Sequence, residues 1–423
     1  MNYHKNQAPG RPESQVAATP VASQHAITPK VLDRPSDPEH LLCFSHLRWG
    51  FVYQRPQHLL SRWTGLSANA RMAPGSGTVW FMEEPVHGDT LHLDIRPASE
   101  RVRVVVPHLP HGVDDDTAVR LQRQLVNQLL DQEDISNFVA WYYTPMALRF
   151  SAHLNPRLTV YDCMDELSAF AGASPLLLAE EEKLLRRADL VFTGGQSLYE
   201  AKQHRHPAVS AFPSCIDYHH FAAARRGLPD PADQQHLTGP RMGYSGVIDE
   251  RFDVALLRDL ADSLPDWQFI LLGPVVKIDP ATLPQGPNLH YLGQKAYADL
   301  PAYMSNWDVA LLPFVRNAAT RYLSPTKTPE YLAAGLPVIA TPIRDVVNTY
   351  GNWPQVMIAD SVDAIRQGLD RASQTPQAND WTALDAFLRQ QSWDVTFQQM
   401  HRLMRQHSRI ASTANLASVG IRA

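Results

Sequence analysis

The chain has 423 residues, of which 44% are hydrophobic and 19% charged, and its formal net charge is −5 at pH 7. This length accommodates two domains with separate cores, and the negative charge argues against a nucleic-acid coat or a strongly basic membrane-binding protein. The three cysteines, Cys43, Cys163 and Cys215, lack CxxC spacing. Their spacing argues against a disulfide framework or a zinc knuckle and favours a reducing cytoplasm.

The two ends of the chain differ from its middle in composition. Residues 1–39 are rich in Pro, Ala, Gln and Ser without periodicity and are predicted to be disordered, and residues 408–423 are predicted to form a flexible tail. No stretch approaches 18 consecutive apolar residues, and the N-terminus lacks the apolar core of a signal peptide. The sequence therefore predicts a protein that is neither exported nor membrane-spanning.

Residues 40–212 alternate short apolar runs with amphipathic stretches, which predicts a first α/β domain with a mostly parallel, doubly wound sheet. In chain order the runs are LLCFS, RPQHLLSRW, TVWFME, RVRVVVP, TAVRLQRQLVNQLLDQ, FVAWYY, LTVYDC, PLLLAEEEKLLRRA and LVFTGG. Within RPQHLLSRW, Arg55 and Arg62 are expected to be solvated.

Residues 213–238 are interrupted by Pro, Asp and Gln and are predicted to link the two domains. A second alternating series over residues 239–391 predicts another doubly wound domain, followed by a helix over 392–407 that could pack on either domain. In open parallel sheets ligands bind beyond the carboxyl ends of the strands, so the functional site is expected in the cleft between the domains.

The stretch SPTKTPEYLAAGLPVIAT reads as a loop, a helix and a strand. Thr328 is predicted to cap the helix, with Pro329 at its first position, and Gly335 to end it. A phosphate suits a helix start beside Lys327, and Glu330 can accept hydrogen bonds from a ribose diol. The alternative is an exposed Lys327–Glu330 pair at helical spacing.

With SGVIDER, LLGP, LHYLG and DVALLPF preceding it, this stretch makes the second domain resemble the nucleotide-sugar half of a GT-B glycosyltransferase, most similar to the family 4 type. The motifs HLRWGFVYQRPQHLLSRW, VYDCMDE and TGGQSLYEAK make the first domain resemble a bacterial envelope and exopolysaccharide subgroup. The resemblance implies two doubly wound, Rossmann-like α/β domains facing a central cleft, with a C-terminal helix. The donor-binding residues that it implies are Gly246, Arg251, Gly273, Ser324, Thr326, Lys327 and Glu330.

Two positions depart from the family pattern. Tyr322 stands where the family usually has the first of two glutamates, and Val247 stands where it commonly has an arginine. Because a diphosphate requires more than one cation, Arg251 is expected to act with Lys327, although Arg251 could equally be a surface residue. The missing glutamate leaves the stereochemical outcome open.

The first domain supplies the candidates for the acceptor side of the cleft. In the loop HLRWGF, Gly50 would allow a ligand to approach the backbone, with His46 and Arg48 beside it. Trp49 could stack on a sugar, although a lone tryptophan more often packs in a core. The cleft-lining residues predicted on this side are Arg48, Trp49, Gly50, Asp162 and His108.

The candidate catalytic residues are Asp165 and His46. Asp162 and Asp165 follow the strand in VYDCMDE, so one carboxylate could accept the acceptor's proton, whereas the alternative is that either caps the next helix. His46 is the best placed of the strand-end histidines, although each is more typical of a hydrogen-bonding residue than of a catalyst.

Asp114–Asp116 could be taken for an acidic metal-binding motif. The run leads directly into a predicted helix, however, where acidic residues cap the helix start and complement its dipole. A diphosphate site built on Arg and Lys also needs no metal. The sequence thus predicts a cytoplasmic, metal-independent glycosyltransferase without a cofactor. The resemblance implies a nucleoside diphosphate sugar as donor, expected to be a UDP-sugar, and a saccharide or lipid-linked acceptor, with no nucleic-acid partner. Peripheral contact with the inner face of the cytoplasmic membrane is compatible with such acceptors.

Two other hypotheses fit the same motifs. One is a nucleotide-sugar epimerase with the same fold, which would consume the donor without an acceptor. The other is a degenerate sugar-nucleotide-binding partner in polysaccharide assembly, which the missing glutamate favours. The motifs do not specify the oligomeric state.

Overall fold

The structure is a computed structural model that describes residues 40–63, 77–374 and 381–419. The disorder predicted for residues 1–39 falls outside the described residues, as do residues 420–423. In the part of the chain that is described, no helix is both long and apolar enough to cross a bilayer.

Among the described residues, the first sheet has nine strands in the order β3-β5-β2-β1-β6-β7-β8-β9, with β4 paired to β5. Only β4 runs antiparallel to its neighbour among the described pairs, so the predicted mostly parallel sheet is confirmed. The strands are β1 (His40–Phe44), β2 (Val79–Met82), β3 (Val86–Gly88), β4 (His92–Pro97), β5 (Val102–Pro110), β6 (Phe138–Tyr142), β7 (Leu158–Cys163), β8 (Leu190–Thr193) and β9 (Val209–Ala211).

Helices cover both faces of this sheet, and its strands are therefore apolar on both sides. Along β1, Leu42 and Phe44 enter one core, while Leu41 and Cys43 enter the other, because successive side chains of a strand point to opposite faces. The helices are α1 (Arg55–Trp63), α2 (Asp115–Gln132), α3 (Leu148–Ser151), α4 (Leu177–Arg187) and α5 (Gln196–Lys202).

The acidic run before α2 caps that helix. The Asp114 carboxylate accepts a hydrogen bond from the Thr117 N–H at 2.7 Å, and Asp115 pairs with Arg149 at 2.6 Å. Unpaired N–H groups at a helix start favour such carboxylates. The interpretation of this run as a helix cap is confirmed.

The part of the chain that the structure describes contains six parallel strands in the second sheet, in the order β12-β11-β10-β13-β14-β15. They are β10 (Arg241–Ser245), β11 (Gln268–Leu272), β12 (Leu289–Gly293), β13 (Val309–Leu312), β14 (Val338–Ala340) and β15 (Val356–Ile358). The remaining helices are α6 (Tyr218–Ala222), α7 (Val254–Ser263), α8 (Leu300–Met304), α9 (Lys327–Ala334), α10 (Arg344–Tyr350), α11 (Val362–Gln374), α12 (Thr382–Gln390) and α13 (Trp393–Val419).

The last helix, α13, packs on the first sheet although it follows the second one in the chain. Trp393, Phe397, Met400 and Met404 are buried in the same core as Leu41. The helix also extends to Val419, whereas the sequence pattern predicted its end at residue 407. Apolar spacing shows that a helix has a buried face but not which sheet covers that face.

Candidate active site

A cavity of about 750 Å³ lies where loops of the two sheets meet. The strand order of each sheet reverses at its first strand, β1 or β10, and the loops after both strands contribute to the cavity wall. Such reversal points open a crevice at the carboxyl ends of the strands. The charged or titratable residues that line it include His46, Glu83, Asp165, Asp249, Arg251 and Lys277.

Arg251, a predicted donor-binding residue, lies in the cavity wall. Its guanidinium forms a two-pronged pair with Asp249, at 3.0 Å from Nε to Oδ1 and 2.7 Å from Nη2 to Oδ2. Burial alone would lower the pKa of Arg251, but the Asp249 hydrogen bond and the charge of Asp165 raise it. The pair fixes a permanent cation at the cavity, and Arg251 is not a free surface residue.

The two candidate catalytic residues, Asp165 and His46, both line the cavity. Burial raises the pKa of Asp165 although the charge of Arg251 opposes the shift, so its carboxylate is a stronger base than an exposed aspartate. Burial, and secondarily Lys277, lowers the pKa of His46 to about 4. His46 is therefore neutral at neutral pH, and its buried Nδ1 has no hydrogen-bond partner among the described residues.

Asp162 does not line the cavity, contrary to its predicted position. Its side chain is fully buried and pairs with Arg55, 2.8 Å from Nη2 to Oδ1. The expectation that Arg55 is solvated is also wrong, since it is 4% exposed. Arg62 bridges Asp217 and Asp394, which ties α1 to the segments before α6 and at the start of α13.

The loop after β1 is organised by Glu83, which the sequence interpretation did not single out. Its carboxylate accepts hydrogen bonds from Arg48 Nη1 at 3.0 Å and from the Trp49 N–H at 2.8 Å. The Trp49 ring packs edge-on against Phe81 with centroids 5.0 Å apart, which is the core-packing alternative. Gly50 is exposed, with no atom near the place of a Cβ, and it lies outside the lining set of the described residues.

His108 lies on β5 and does not line the cavity, contrary to the prediction. Its ring stacks on His92 of β4 at 4.2 Å, and it is absent from the described cavity wall. The prediction that it lines the cleft is wrong because β5 continues two residues beyond His108 and pairs there with β3.

Lys327 and Glu330 form a close pair, 2.7 Å from Nζ to Oε2, in the first turn of α9. The pair is at helical spacing, as in the alternative interpretation, but it is buried rather than exposed, with Glu330 only 3% exposed. Burial raises the pKa of Glu330, and Lys327 opposes this shift. Neither residue belongs to the described wall of this cavity.

The helix α9 begins two residues earlier than predicted. Its N-cap is Thr326, whereas Thr328 lies inside the helix with its Oγ1 buried and without a hydrogen-bond partner among the described residues. The αR backbone of Thr326 continues smoothly into the helix, so Pro329 falls in the first turn rather than at its start. The predicted end at Gly335 is confirmed, with φ of 88°.

Three other predicted donor residues, Gly246, Gly273 and Ser324, make close contacts within the protein. A Cβ on Gly273 would lie 1.8 Å from the carbonyl oxygen of Gly246, so Gly273 permits close packing of the ends of β10 and β11, whereas a Cβ on Gly246 would lie 2.7 Å from the hydroxyl of Tyr244. The Ser324 carbonyl accepts a hydrogen bond from Ser214 Oγ at 2.7 Å. Ser324 also lies against Gly195 of the first domain, since a Cβ placed on Gly195 would be 2.8 Å from the Cβ of Ser324.

Tyr322, at the position of the expected glutamate, packs against the core of the first domain that contains Phe44 and Tyr142. The Arg321 guanidinium lies 5.4 Å from the centre of its ring. The side chain therefore joins the two domains through apolar contact.

Comparison with known proteins bears on this architecture. A family model described as glycosyl transferases group 1 matches residues 248–374. The solved structure of sucrose-phosphate synthase from Thermosynechococcus elongatus superposes with a TM-score of 0.64 at 15% identity, covering 87% of this chain and 98% of that chain. HepE from Anabaena, in complex with UDP and glucose, gives 0.61 at 14% identity, covering 87% and 99%. The chain has a GT-B glycosyltransferase fold.

Sequence similarity agrees with the GT-B fold. The chain is 25% identical over 285 residues to TuaH of Bacillus subtilis, named as a putative teichuronic acid biosynthesis glycosyltransferase, and the match covers 62% of this chain and 70% of that protein. A trehalose-6-phosphate protein from E. coli bound with UDP-2-fluoro glucose superposes with a TM-score of 0.61 at 12% identity, covering 87% and 99%. Together the matches support a glycosyltransferase with the GT-B fold.

Besides Glu83, the sequence interpretation missed Asp249, Lys277 and Phe170 in the cavity wall. Lys277 and Asp249 line the cavity, and Phe170 lies under both Lys277 and Arg251. Asp249 and Lys277 lie in the loops after β10 and β11, and a lysine just beyond the carboxyl end of a strand was the available signal in the sequence. Across the described residues, no cluster of three His, Cys, Asp or Glu side chains could hold a metal ion.

The buried Lys327–Glu330 pair predicts a pH-dependent loss of stability in Lys327→Met. Burial raises the folded-state pKa of Glu330 above its ordinary value of 4.5. The contribution of Glu330 to the free energy of unfolding is therefore fully present at low pH and is lost as pH rises through the folded-state pKa. Removing Lys327 removes the charge that opposes this shift, so the folded-state pKa of Glu330 rises further and more stability is lost at high pH. We expect the free energy of unfolding of the variant to be roughly 1–3 kcal/mol below that of the parent at pH 8, with a smaller difference at pH 5. Urea unfolding at both pH values measures the difference.

The matched control is Lys183→Met, which removes an i,i+3 pair of the same 2.7 Å length in which the lysine is 56% exposed. That variant should lose less than about 1 kcal/mol. Equal losses at pH 5 and pH 8 in Lys327→Met would contradict the assigned cause.

Proposed function

We propose that the protein transfers a sugar from a nucleoside diphosphate sugar, expected to be a UDP-sugar, to a saccharide or lipid-linked acceptor in envelope or exopolysaccharide synthesis. The observation that carries this proposal is the cavity between the two α/β domains, which combines fixed cations with the half-buried carboxylate of Asp165. Cations suit a departing diphosphate and a carboxylate suits an acceptor hydroxyl.

The named relatives support the two substrate classes. TuaH is named for teichuronic acid biosynthesis, which supports an envelope polysaccharide as product. Two superposing structures contain UDP with glucose or a UDP-sugar analogue, which supports a nucleotide-sugar donor. We propose that the protein acts in the cytoplasm, with peripheral membrane contact where the acceptor is lipid-linked.

The transfer exchanges one bond for another at the anomeric carbon of the donor. The acceptor oxygen forms a bond to that carbon, and the bond from the carbon to the diphosphate oxygen breaks, with its electron pair remaining on the diphosphate. The acceptor's proton passes to the carboxylate of Asp165. Arg251 stabilises the charge that develops on the diphosphate, so we propose that the transfer requires no divalent metal.

The first test is thermal unfolding in the presence of UDP, GDP, ADP or dTDP, in buffer with EDTA. A ligand at 100 times its dissociation constant should stabilise the folded protein by about 2.7 kcal/mol. We expect UDP to raise Tm. If none of the four nucleotides raises Tm, with EDTA or with added Mg²⁺, the proposed donor is wrong.

Tyr322 favours a second candidate, a sugar-nucleotide-binding partner without catalytic activity, because an aromatic ring in the domain interface replaces an expected carboxylate. Such a protein would bind the nucleotide but release no free UDP from a UDP-sugar over hours, with or without envelope saccharides. Acceptor-dependent release of UDP would exclude it.

A further inference from the structure

Two cations converge on one aromatic ring in the cavity wall. Arg251 Cζ lies 5.2 Å and Lys277 Nζ 4.7 Å from the centre of the Phe170 ring. Arg251 follows β10 and Lys277 follows β11, which are neighbouring parallel strands, and residues 248 and 275 of the two loops form a further parallel bridge. The two positive charges therefore come from adjacent loops at the ligand-binding edge of the second sheet.

The two cations differ in how they are neutralised. Asp249 engages Arg251 through both carboxylate oxygens, whereas Lys277 has no ion pair or hydrogen bond of its side chain within the described residues. Lys277 also has φ of 61°, a left-handed conformation that is uncommon for lysine and that directs this residue to the cavity wall. Its charge acts on the cavity, since it lowers the pKa of His46.

Lys327, the lysine expected to bind the diphosphate, is in a different position. It is 2.7 Å from Glu330, which neutralises its charge, and it lies outside the described cavity wall. A bound diphosphate carries about two to three negative charges, which exceed what the Arg251–Asp249 pair can balance.

We propose that Lys277, acting with Arg251, binds the diphosphate of the nucleoside diphosphate donor and stabilises it as the leaving group. This inference rests on the proposed function. The Lys277 ammonium has three donors on a flexible stem, so it can follow the diphosphate as the bond to the anomeric carbon breaks and negative charge moves onto the bridging oxygen. Phe170 holds both cations near the position of that charge.

The test compares UDP with uridine, because the two ligands differ only in the diphosphate. Dissociation constants come from calorimetry on the full chain for the parent, Lys277→Met, Lys277→Arg and the control Lys295→Met, whose lysine pairs with Asp233 outside the described cavity wall. We expect Lys277→Met to bind UDP about 10- to 100-fold more weakly and uridine within about twofold of the parent. Lys277→Arg should retain most of the UDP affinity, and Lys295→Met all of it.

The outcomes separate this inference from the function on which it rests. If the parent prefers UDP over uridine and Lys277→Met keeps that preference, the assignment of Lys277 is wrong while the donor site stands. If Lys277→Met weakens uridine as much as UDP, the residue acts on the fold or the base and the assignment is again wrong. If the parent binds no nucleotide, the proposed function itself fails.

Discussion

Replacing Asp165 with asparagine is expected to lower kcat about 100- to 10,000-fold while leaving UDP affinity within about threefold, because the amide cannot accept the acceptor's proton. The parent should lose activity as pH falls through the pKa of Asp165, since the base acts only when deprotonated. Burial raises that pKa above its ordinary value of 3.8, so the acid limb should lie at a correspondingly higher pH. The acid limb should be absent in the variant.

Release of UDP in the presence of acceptor, recorded between pH 4 and pH 9, measures both effects. Asp89→Asn, a change of the same chemistry on the exposed surface, is the control and should behave as the parent. A variant with parental kcat and the same acid limb would show that another group takes the proton.

Replacing Arg55 with methionine is expected to destabilise the protein by about 3–5 kcal/mol, because the fully buried Asp162 side chain would lose its ion-pair partner. The carbonyl oxygen of Phe212 would also lose its hydrogen bond from Arg55 Nη1, which is 2.7 Å long. Urea unfolding followed by circular dichroism measures the loss.

The double variant Arg55→Met/Asp162→Leu serves as the control. Exchanging both members of a buried ion pair for apolar residues of similar size often restores stability, so the double variant should be more stable than either single variant. Additive losses would mean that the two side chains do not act as a pair.

The alternation of apolar runs was sufficient to predict two mostly parallel sheets and the loops that carry the cavity, because strand period and loop position are local properties. Asp162 and Asp165 show where local information ends. They differ by three positions, yet one lies inside β7 against Arg55, 107 residues away, and the other lies past the strand end in the cavity wall. A shift of one or two residues in the predicted strand end exchanges their roles.

The sequence was also insufficient to predict which charged side chains pair with one another. Arg251 was selected for its charge, but its engagement by Asp249 depends on the turn between them, and the lack of such a partner at Lys277 depends on the packing of a neighbouring loop. The sequence shows which residues carry charge, whereas turn geometry and the packing of neighbouring loops decide which charges remain available to a ligand.

The position of α13 determines when, during synthesis of the chain, the core of the first domain can form. The first sheet is complete at Ala211, but the core that contains Leu41 also requires Trp393, which the ribosome adds 393 − 211 = 182 residues later. At about 5–20 residues per second that interval lasts roughly 9–36 s. During that time the face of the first sheet that α13 will cover is exposed on the nascent chain, so this domain, although synthesised before the second, reaches its native core only after α13 has been made.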